Sequence, residues 1–469
     1  MRYPVQLTAN ALLRSAAQRR STDIRLRGVR VSCEQATFRT PLYISGRTIT
    51  TSTLARVTAD VEGADGRVVT GRGMATLSYM WAWPGDLTAE VRDTAMRDFC
   101  ARLASWIPAT LDGWGHPVEL GCALHDLLPG LTANFAAEIP RREMMPPLAA
   151  SVCASPIDAA LHDAYGLLHG RSSYDLLGPD FLPGDLARFF GPAGAGITLE
   201  QALELRFTPR VPGCFIIARK DPLRRSDVAT PIGDGLPECA EEWVARHGFA
   251  VPKLKVDALD PREDARWVSE VMRMMREAHQ RLGRGITPWV TVDPNEGYRE
   301  VEMVVAFLRA VQENDPETYQ ALRYLEQPIP RALGEQVDMR PVAALKPVVA
   351  DESLNDLQQL DALLRAGWSG VALKICKSQT LCLLLAARCR QAKLPYTVQD
   401  LTNASLAALQ SLGLAARLHP LNGIEMNSIQ FSPQANADAI SQHPGVFHPI
   451  DGFHDAGTLT GPGLGYGAM

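Results

Sequence analysis

From about residue 210 onward, short apolar runs alternate with amphipathic stretches, and this alternation leaves the chain few folds to choose from. The runs are FIIAR, VPKLKV, PWVTVD, LRYLE, KPVVAD, GVALK, PYTVQ and GIEMN. Between most of them lies a stretch of helical spacing, such as REDARWVSEVMRMMREAHQRLG or TLCLLLAARCRQAKL. Strands that are apolar throughout are buried on both faces, as in a parallel sheet covered by helices. Eight such β-then-α units predict a modified (β/α)8 TIM barrel rather than an open sheet. The segment 221–240 is longer and more polar than a first βα loop needs, and it reads as an insertion.

The first third of the chain has a different rhythm. Residues 27–80 read as strands, and Asp65-Gly66 is a strong hairpin signal between two of them. Two helical stretches follow, AEVRDTAMRDFCARLASWI and SPIDAALHDAYGLLHG. In the second, Ser155 reads as the N-cap, Pro156 as the first helical residue and Gly170 as the stop. The organisation expected is an N-terminal extension over 1–26, an α+β domain over 27–150 and the barrel over 151–439. The turn-rich tail, 440–469, is expected to return to the first domain. Residues 1–26 bear arginines and begin free of acids, without a long apolar run, and read as a mobile or loosely docked extension.

Composition removes several function classes. The formal net charge is −5, so no basic excess marks nucleic acid or an anionic membrane surface as partner. No stretch approaches the roughly 18–20 apolar residues of a membrane span. Nine cysteines lie scattered from Cys33 to Cys389 without a CxxC pair, which suits reduced thiols in a cytoplasmic protein.

The chemistry lies where the strand-like runs end. The second run ends in Lys253-Leu254-Lys255, the third at Asp293, the fourth at Glu326, the fifth at Asp351 and the sixth at Lys374. From Glu326 to Asp351, to Lys374 and to Gln399 the intervals are 25, 23 and 25 residues, each one βα unit. That phase puts all these groups on the C-terminal rim, where barrel active sites sit. Three carboxylates from consecutive strands cannot all stay ionised together without a cation, and all-oxygen ligation suits Mg2+. Asp293, Glu326 and Asp351 are therefore the expected ligands. Lys255 and Lys374 would face each other across the ion, with pKa values lowered towards neutrality, as acid and base. Asp400, Glu352 and Lys377 lie past the strand-end phase and read as support. Any one of these residues alone would be an ordinary solvated strand end; the set in one phase is not.

The runs VPKLKVD, VTVDPNEGY, YLEQPIP, VVADESL and VALKICKSQT resemble the enolase superfamily, in its mandelate racemase/muconate-lactonising-enzyme branch. SPIDAALHDAYGLLHGRSSYDLLG and GPGLGYG resemble the helix entering that family's barrel and its C-terminal return. The resemblance runs from about residue 37 to the end. It implies that Lys255 and Lys374 are the paired acid/base groups, that Asp293, Glu326 and Asp351 bind Mg2+, and that Lys253, Asn295 and Glu352 support them. It also implies that the strand-rich first domain caps the barrel and selects substrate. Four departures stand out. Gln379-Thr380 replaces the usual Gly-Gly, and the cap's Gly-x-Gly-Glu is GRGM, ending in Met74. No His ends the seventh strand, which disfavours mandelate-like dehydratases. The Asp-x-Asp of dipeptide epimerases is Glu425-Met426-Asn427, with one charge fewer.

The expected reaction is Mg2+-assisted removal of a proton α to a carboxylate, giving an enediolate, on a small-molecule substrate. Two opposed lysines suit racemisation or epimerisation. The same pair serves cycloisomerisation or β-elimination, and a non-catalytic carboxylate binder is the reading from another class. Specificity is expected in Arg39–Ser45, in Ser78–Trp83 and at Gln399, Glu425 and Asn427, with Tyr43, Trp81 and Trp83 facing an apolar group. A homo-oligomer is compatible with such a barrel.

Overall fold

The computed structural model describes residues 11–44, 46–138 and 143–467. Three strands, β1 (Ile24–Ile44), β2 (Arg47–Gly63) and β3 (Val68–Leu77), form an antiparallel meander. Asp65-Gly66 makes the second turn as its sequence predicts: Gly66 sits at φ 83° and the Gly63 amide donates to the Arg67 carbonyl at 2.9 Å. Along β2, Ala55, Val57, Ala59 and Val61 are buried, so every second side chain faces the helices α1 (Ala89–Thr110), α2 (Pro117–Glu138) and α3 (Pro147–His169).

Helix α3 corrects the sequence reading at its start. It begins at Pro147, not at Pro156, and the Ser155 hydroxyl donates to the Val152 carbonyl at 3.0 Å instead of capping. The upstream stretch LAASVCA is buried, and burial there outweighs the Ser-Pro stop signal. A domain boundary at residue 151 would fall inside this helix, which packs on β3. The approach needs Gly71 and Gly73: a Cβ at these positions would meet the Ala160 and Pro156 carbonyl oxygens at 2.1 and 2.0 Å.

The N-terminal segment from residue 11 is anchored rather than loose, and β1 starts at Ile24 rather than 27. Asp23 and Glu119 are both buried, and a buried carboxylate needs a partner. Arg14 bonds Asp23 at 2.7 Å and also reaches Glu119, while Arg20 reaches Glu119 at 2.8 Å. The rest of the expected extension, 1–10, lies outside the described residues, as do Ser45, 468 and 469.

The second domain is a ring of parallel strands: β4 (Arg210–Ala218), β5 (Val251–Lys255), β6 (Val290–Val292), β7 (Leu322–Glu326), β8 (Val348–Ala350), β9 (Gly370–Leu373), β10 (Tyr396–Val398) and β11 (Ile424–Glu425). Neighbours pair in chain order from β4 to β10, and β11 pairs β4. The seam between β10 and β11 closes through a side chain. Asn422 accepts from the Val398 amide at 3.1 Å and donates to its carbonyl at 3.0 Å, beside a Leu421-to-Tyr396 backbone bond of 3.0 Å. Helices α4 (Ala240–His247), α5 (Pro261–Arg281), α6 (Val301–Asn314), α7 (Leu357–Arg365), α8 (Gln379–Gln391) and α9 (Ser405–Leu418) cover the ring. Between β7 and β8 only short helical turns intervene, at Arg331–Leu333 and Arg340–Ala343.

Two segments bind ring to cap. After β12 (Phe453–Asp455), which pairs antiparallel with β4, the tail crosses to α3, and the Leu464 amide donates to Asp163 at 3.0 Å. The insertion 221–240 is held by Arg39 of β1, whose guanidinium bonds Asp234 at 2.6 and 2.8 Å and two backbone carbonyls.

The glycine contacts make a prediction. Gly73→Ala forces α3 off β3 and lowers the unfolding free energy by about 1–3 kcal/mol, read from urea midpoints. An unchanged midpoint would show that the helix does not depend on this close approach.

Candidate active site

Five successive strands place their charged ends at one mouth. Lys253 and Lys255 lie on β5, Asp293 follows β6, Glu326 ends β7, Asp351 follows β8 and Lys374 follows β9. Side chains alternate along a strand, so Lys253 and Lys255 both point inward and Leu254 outward. In the ring order β5 and β9 stand four places apart among eight, so the two ends are diametrically opposed. All five, and Lys253, are buried.

Lys253 is the hub. Its Nζ lies 2.8 Å from Glu326, 3.0 Å from Asp293 and 2.8 Å from Glu425, and donates to Gln399 Oε1 at 3.2 Å. Lys255 pairs with Asp293 at 2.5 Å. Lys374 pairs with Asp351 at 2.7 Å, and Lys377 lies 3.1 Å from the same carboxylate while donating to the Asp351 and Leu354 carbonyls. Asn295 donates its backbone N–H to Asp293 at 2.9 Å and its side-chain amide to Glu352 at 3.4 Å.

This network modifies the expectation for the lysines. Burial alone would lower the pKa of Lys374, but Asp351, Glu326 and Glu352 overcome it and raise the pKa above its ordinary value. The same holds for Lys253, with Asp293, Glu326 and Glu425 opposing burial. As the residues stand, carboxylate partners hold Lys253 and Lys374 in the ammonium form.

The residues fit a divalent cation by charge. Asp293, Glu326, Asp351, Glu352, Asp400 and Glu425 are buried together with only four ammonium groups, those of Lys253, Lys255, Lys374 and Lys377. Two negative charges are therefore left over in a medium that tolerates none. The strain shows as raised carboxyl pKa values. Burial, then Asp293 and Asp351, push Glu326 upward, although Lys253 opposes them. Burial and Asp351 raise Glu352, and burial and Glu425 raise Asp400 to about 7. A hard divalent ion among carboxylate oxygens would cancel this excess. Among the described residues, no three such groups already converge at ligand spacing, because Lys253 lies between Asp293 and Glu326, and Lys374 and Lys377 hold Asp351.

Above the charged floor lies a small cavity between barrel and cap. Lys255, Lys374, Asn295, Asp400, Glu425 and Asn427 line it from the barrel side. Phe38, Leu42, Ile44 and Ile49 from the β1–β2 hairpin, Ser78–Trp81 and Ile216 form its largely apolar roof. Three expected substrate contacts are elsewhere. Tyr43 sits between the inward Leu42 and Ile44, so it points outward, and Lys220 lies 5.1 Å from its ring. Trp83 is buried in the cap core, where its carbonyl accepts from Arg92 at 2.6 Å. Gln399 lies beneath the cavity, donating to Glu326 at 2.6 Å and to the Tyr324 hydroxyl at 3.1 Å.

Trp81 is in place, but as a neighbour of the lysines. Lys374 Nζ stands 4.6 Å from its ring, its indole N–H donates to Glu352 at 2.6 Å, and its carbonyl accepts from Arg331. Sequence reasoning missed Arg331, which also pairs with Glu296 at 2.5 Å; its position just after YLEQPIP, beyond a strand-end carboxylate, was the available signal. It missed Asp158 too, whose carboxylate takes the Ser378 hydroxyl at 2.8 Å and the Thr380 amide at 2.9 Å.

Known proteins agree with this architecture. Residues 235–467 match the family model described as enolase C-terminal domain-like. The chain is similar in structure to a dipeptide epimerase from Enterococcus faecalis complexed with Mg and the dipeptide L-Leu-L-Tyr, at TM-score 0.60 and 15% identity, covering 94% of this chain and 99% of that one. It is also similar to muconate lactonizing enzyme from Pseudomonas fluorescens complexed with muconolactone (TM-score 0.57, 18% identity, 94% and 96% covered). A magnesium-complexed enolase-superfamily member from Roseovarius nubinhibens gives TM-score 0.57 and 19% identity, with 94% and 95% covered. No curated protein matches by sequence. With cap, ring and strand-end pattern all present, the chain belongs to the enolase superfamily, in its mandelate racemase/muconate lactonizing enzyme branch.

Proposed function

We propose that this protein is a Mg2+-dependent enzyme that moves a proton at the carbon α to a carboxylate, through an enediolate, and so racemises or epimerises a small carboxylate substrate. The observation that carries this reading is the pair Lys255 and Lys374. They close opposite strands of the ring and are walls of one cavity under the cap. A carbon held between them can lose a proton on one face and regain it on the other. A site that only bound a carboxylate would not need two opposed bases.

Asp293, Glu326 and Asp351 would hold the ion. When bound, Mg2+ would supply the positive charge that stabilises the substrate carboxylate as negative charge builds on it. The chain's own groups do the rest. Lys255 exchanges a proton with the α carbon from the β5 side and Lys374 from the β9 side. Lys253 is surrounded by Asp293, Glu326 and Glu425, so it holds the carboxylates in register rather than acting as a base. Asn295 and Glu352 fix Asp293 and Trp81 in turn. Similar structures complexed with Mg and a dipeptide, or with muconolactone, support a small-molecule site of this kind.

One observation favours a second reading. Trp81 stacks on Lys374, and such stacking stabilises the cation. If Lys374 stays charged throughout, Lys255 is the only base, and the reaction is a cycloisomerisation or a β-elimination.

Two predictions follow from the site. In D2O, a true substrate takes up deuterium at its α carbon, and Lys255→Ala lowers that exchange by about a hundredfold or more. Lys374→Ala does the same if it is the second base, whereas exchange that survives it identifies the one-base reading; unchanged exchange in both variants rejects the mechanism. Second, Mg2+ at about a hundred times its Kd raises the unfolding free energy by about 2.7 kcal/mol. The double variant Glu326→Gln, Asp351→Asn loses this stabilisation. If it keeps it, the ion binds elsewhere.

A further inference from the structure

An ion held by Asp293, Glu326 and Asp351 would take those carboxylates from the lysines that now pair with them. Two lysines keep other partners. Lys253 keeps Glu425 at 2.8 Å and Gln399 at 3.2 Å. Lys377 keeps the Asp351 and Leu354 carbonyl oxygens at 2.5 and 2.9 Å. Lys255 and Lys374 are placed differently. Among the described residues, the one polar partner of Lys255 is Asp293 and that of Lys374 is Asp351. A buried ammonium that loses its carboxylate is costly unless another group takes it.

For Lys374 such a group is already in place, and it belongs to the cap. The Trp81 ring lies 4.6 Å from Lys374 Nζ, whereas Lys377, at 5.9 Å, is farther off and stays on its carbonyls. The face of an indole attracts an ammonium, most strongly where water is kept away, and Trp81 is 4% exposed. The ring is held in position from two sides. Its N–H donates to Glu352 at 2.6 Å, and the Trp81 carbonyl accepts at 2.9 Å from Arg331, which Glu296 holds in turn. Lys374 and Trp81 line the same cavity, so an ammonium that moves from Asp351 onto the ring stays where a substrate would meet it.

We infer that Trp81 is a positioning residue: its ring keeps the Lys374 ammonium in the cavity when a divalent ion takes Asp351, so a residue of the cap sets how tightly the barrel holds its ion. This rests on the proposed function for the ion and for Asp351 as its ligand. It adds that the exchange of ammonium for ion at Asp351 costs less with the ring than without it.

The test is calorimetry of Mg2+ binding to the full chain, for the wild type and Trp81 variants, each with Lys374 present and with Lys374→Ala. Trp81→Leu and Trp81→Met are apolar but have no ring, and each weakens Mg2+ binding about tenfold. Trp81→Phe keeps a ring without the N–H, and it stays within about threefold of the wild type. With Lys374→Ala there is no ammonium to seat, so the further loss of the ring changes the affinity by less than about twofold. A general loosening of the cap would instead weaken binding in both backgrounds alike. Full affinity without the ring overturns the inference, and so does an equal loss with and without Lys374. So does a loss in Trp81→Phe as large as in Trp81→Leu, which would assign the effect to the indole N–H. A wild type that binds no Mg2+ rejects the proposed cofactor and this inference with it; Mg2+ binding that ignores Trp81 rejects this inference alone.

Discussion

The mouth of this barrel is organised by one buried ammonium group. Lys253 reaches from β5 to Asp293 after β6, Glu326 on β7, Gln399 after β10 and Glu425 on β11. A fully buried ammonium is tolerable only where carboxylates surround it, and fully buried carboxylates are tolerable only where cations reach them. The cluster is thus mutually required, and removing one partner leaves an uncompensated charge. Under the proposed function, this makes Lys253 the lysine least suited to act as a base. It cannot leave its partners, whereas Lys255 and Lys374 each pair with a carboxylate at the cavity edge.

The cap is connected to that charged floor by side chains that cross between the two domains. Trp81 is one such link: its ring covers Lys374, its N–H ends on Glu352 and its carbonyl on Arg331. Arg56 on β2 adds a second link, to Asp438 at 3.0 Å, and Thr76 on β3 donates to the Thr402 carbonyl. Arg39 adds a third, through the insertion. The roof of the cavity is consequently set by the same contacts that position a charged group of the floor, and a change in the cap is felt at Lys374 through a single indole.

The strand ends were legible because a βα unit has a nearly constant length. Equal spacing from Glu326 to Asp351 to Lys374 translates into equal height on the rim, and the structure puts these groups at one mouth. Contacts that depend on which way a residue faces were harder to read. Tyr43 and Trp83 are aromatics in the right segments, but each points away from the cavity. The run of β1 could not show its phase at Leu42-Tyr43-Ile44, because all three are apolar enough to face either side. Gln399 is at the barrel mouth as expected, but its side chain is taken up beneath the cavity by Lys253 and Glu326. Arg331 and Asp158 act through partners more than thirty residues away, and no local pattern announces such pairs.

The departure after Lys374 illustrates the same point from the other side. Where relatives commonly carry Gly-Gly, this chain has Gln379-Thr380, and these side chains are engaged rather than merely accommodated. Thr380 bonds Asp158 of α3 through both its amide and its hydroxyl, and Gln379 pairs with Gln410 of α9 at 3.0 Å. Room for Thr380 comes from α2, where Gly121 stands: a Cβ there would meet Thr380 Oγ1 at 2.1 Å. A threonine on the barrel, a glycine on one cap helix and an aspartate on another thus form one compensated set. The set ties the N-terminus of α8 to the cap within a few residues of Lys374. Backbone freedom that glycines would provide at this point is replaced by side-chain bonds, so the loop that presents Lys374 is held from beneath by α3 as firmly as Trp81 holds it from above.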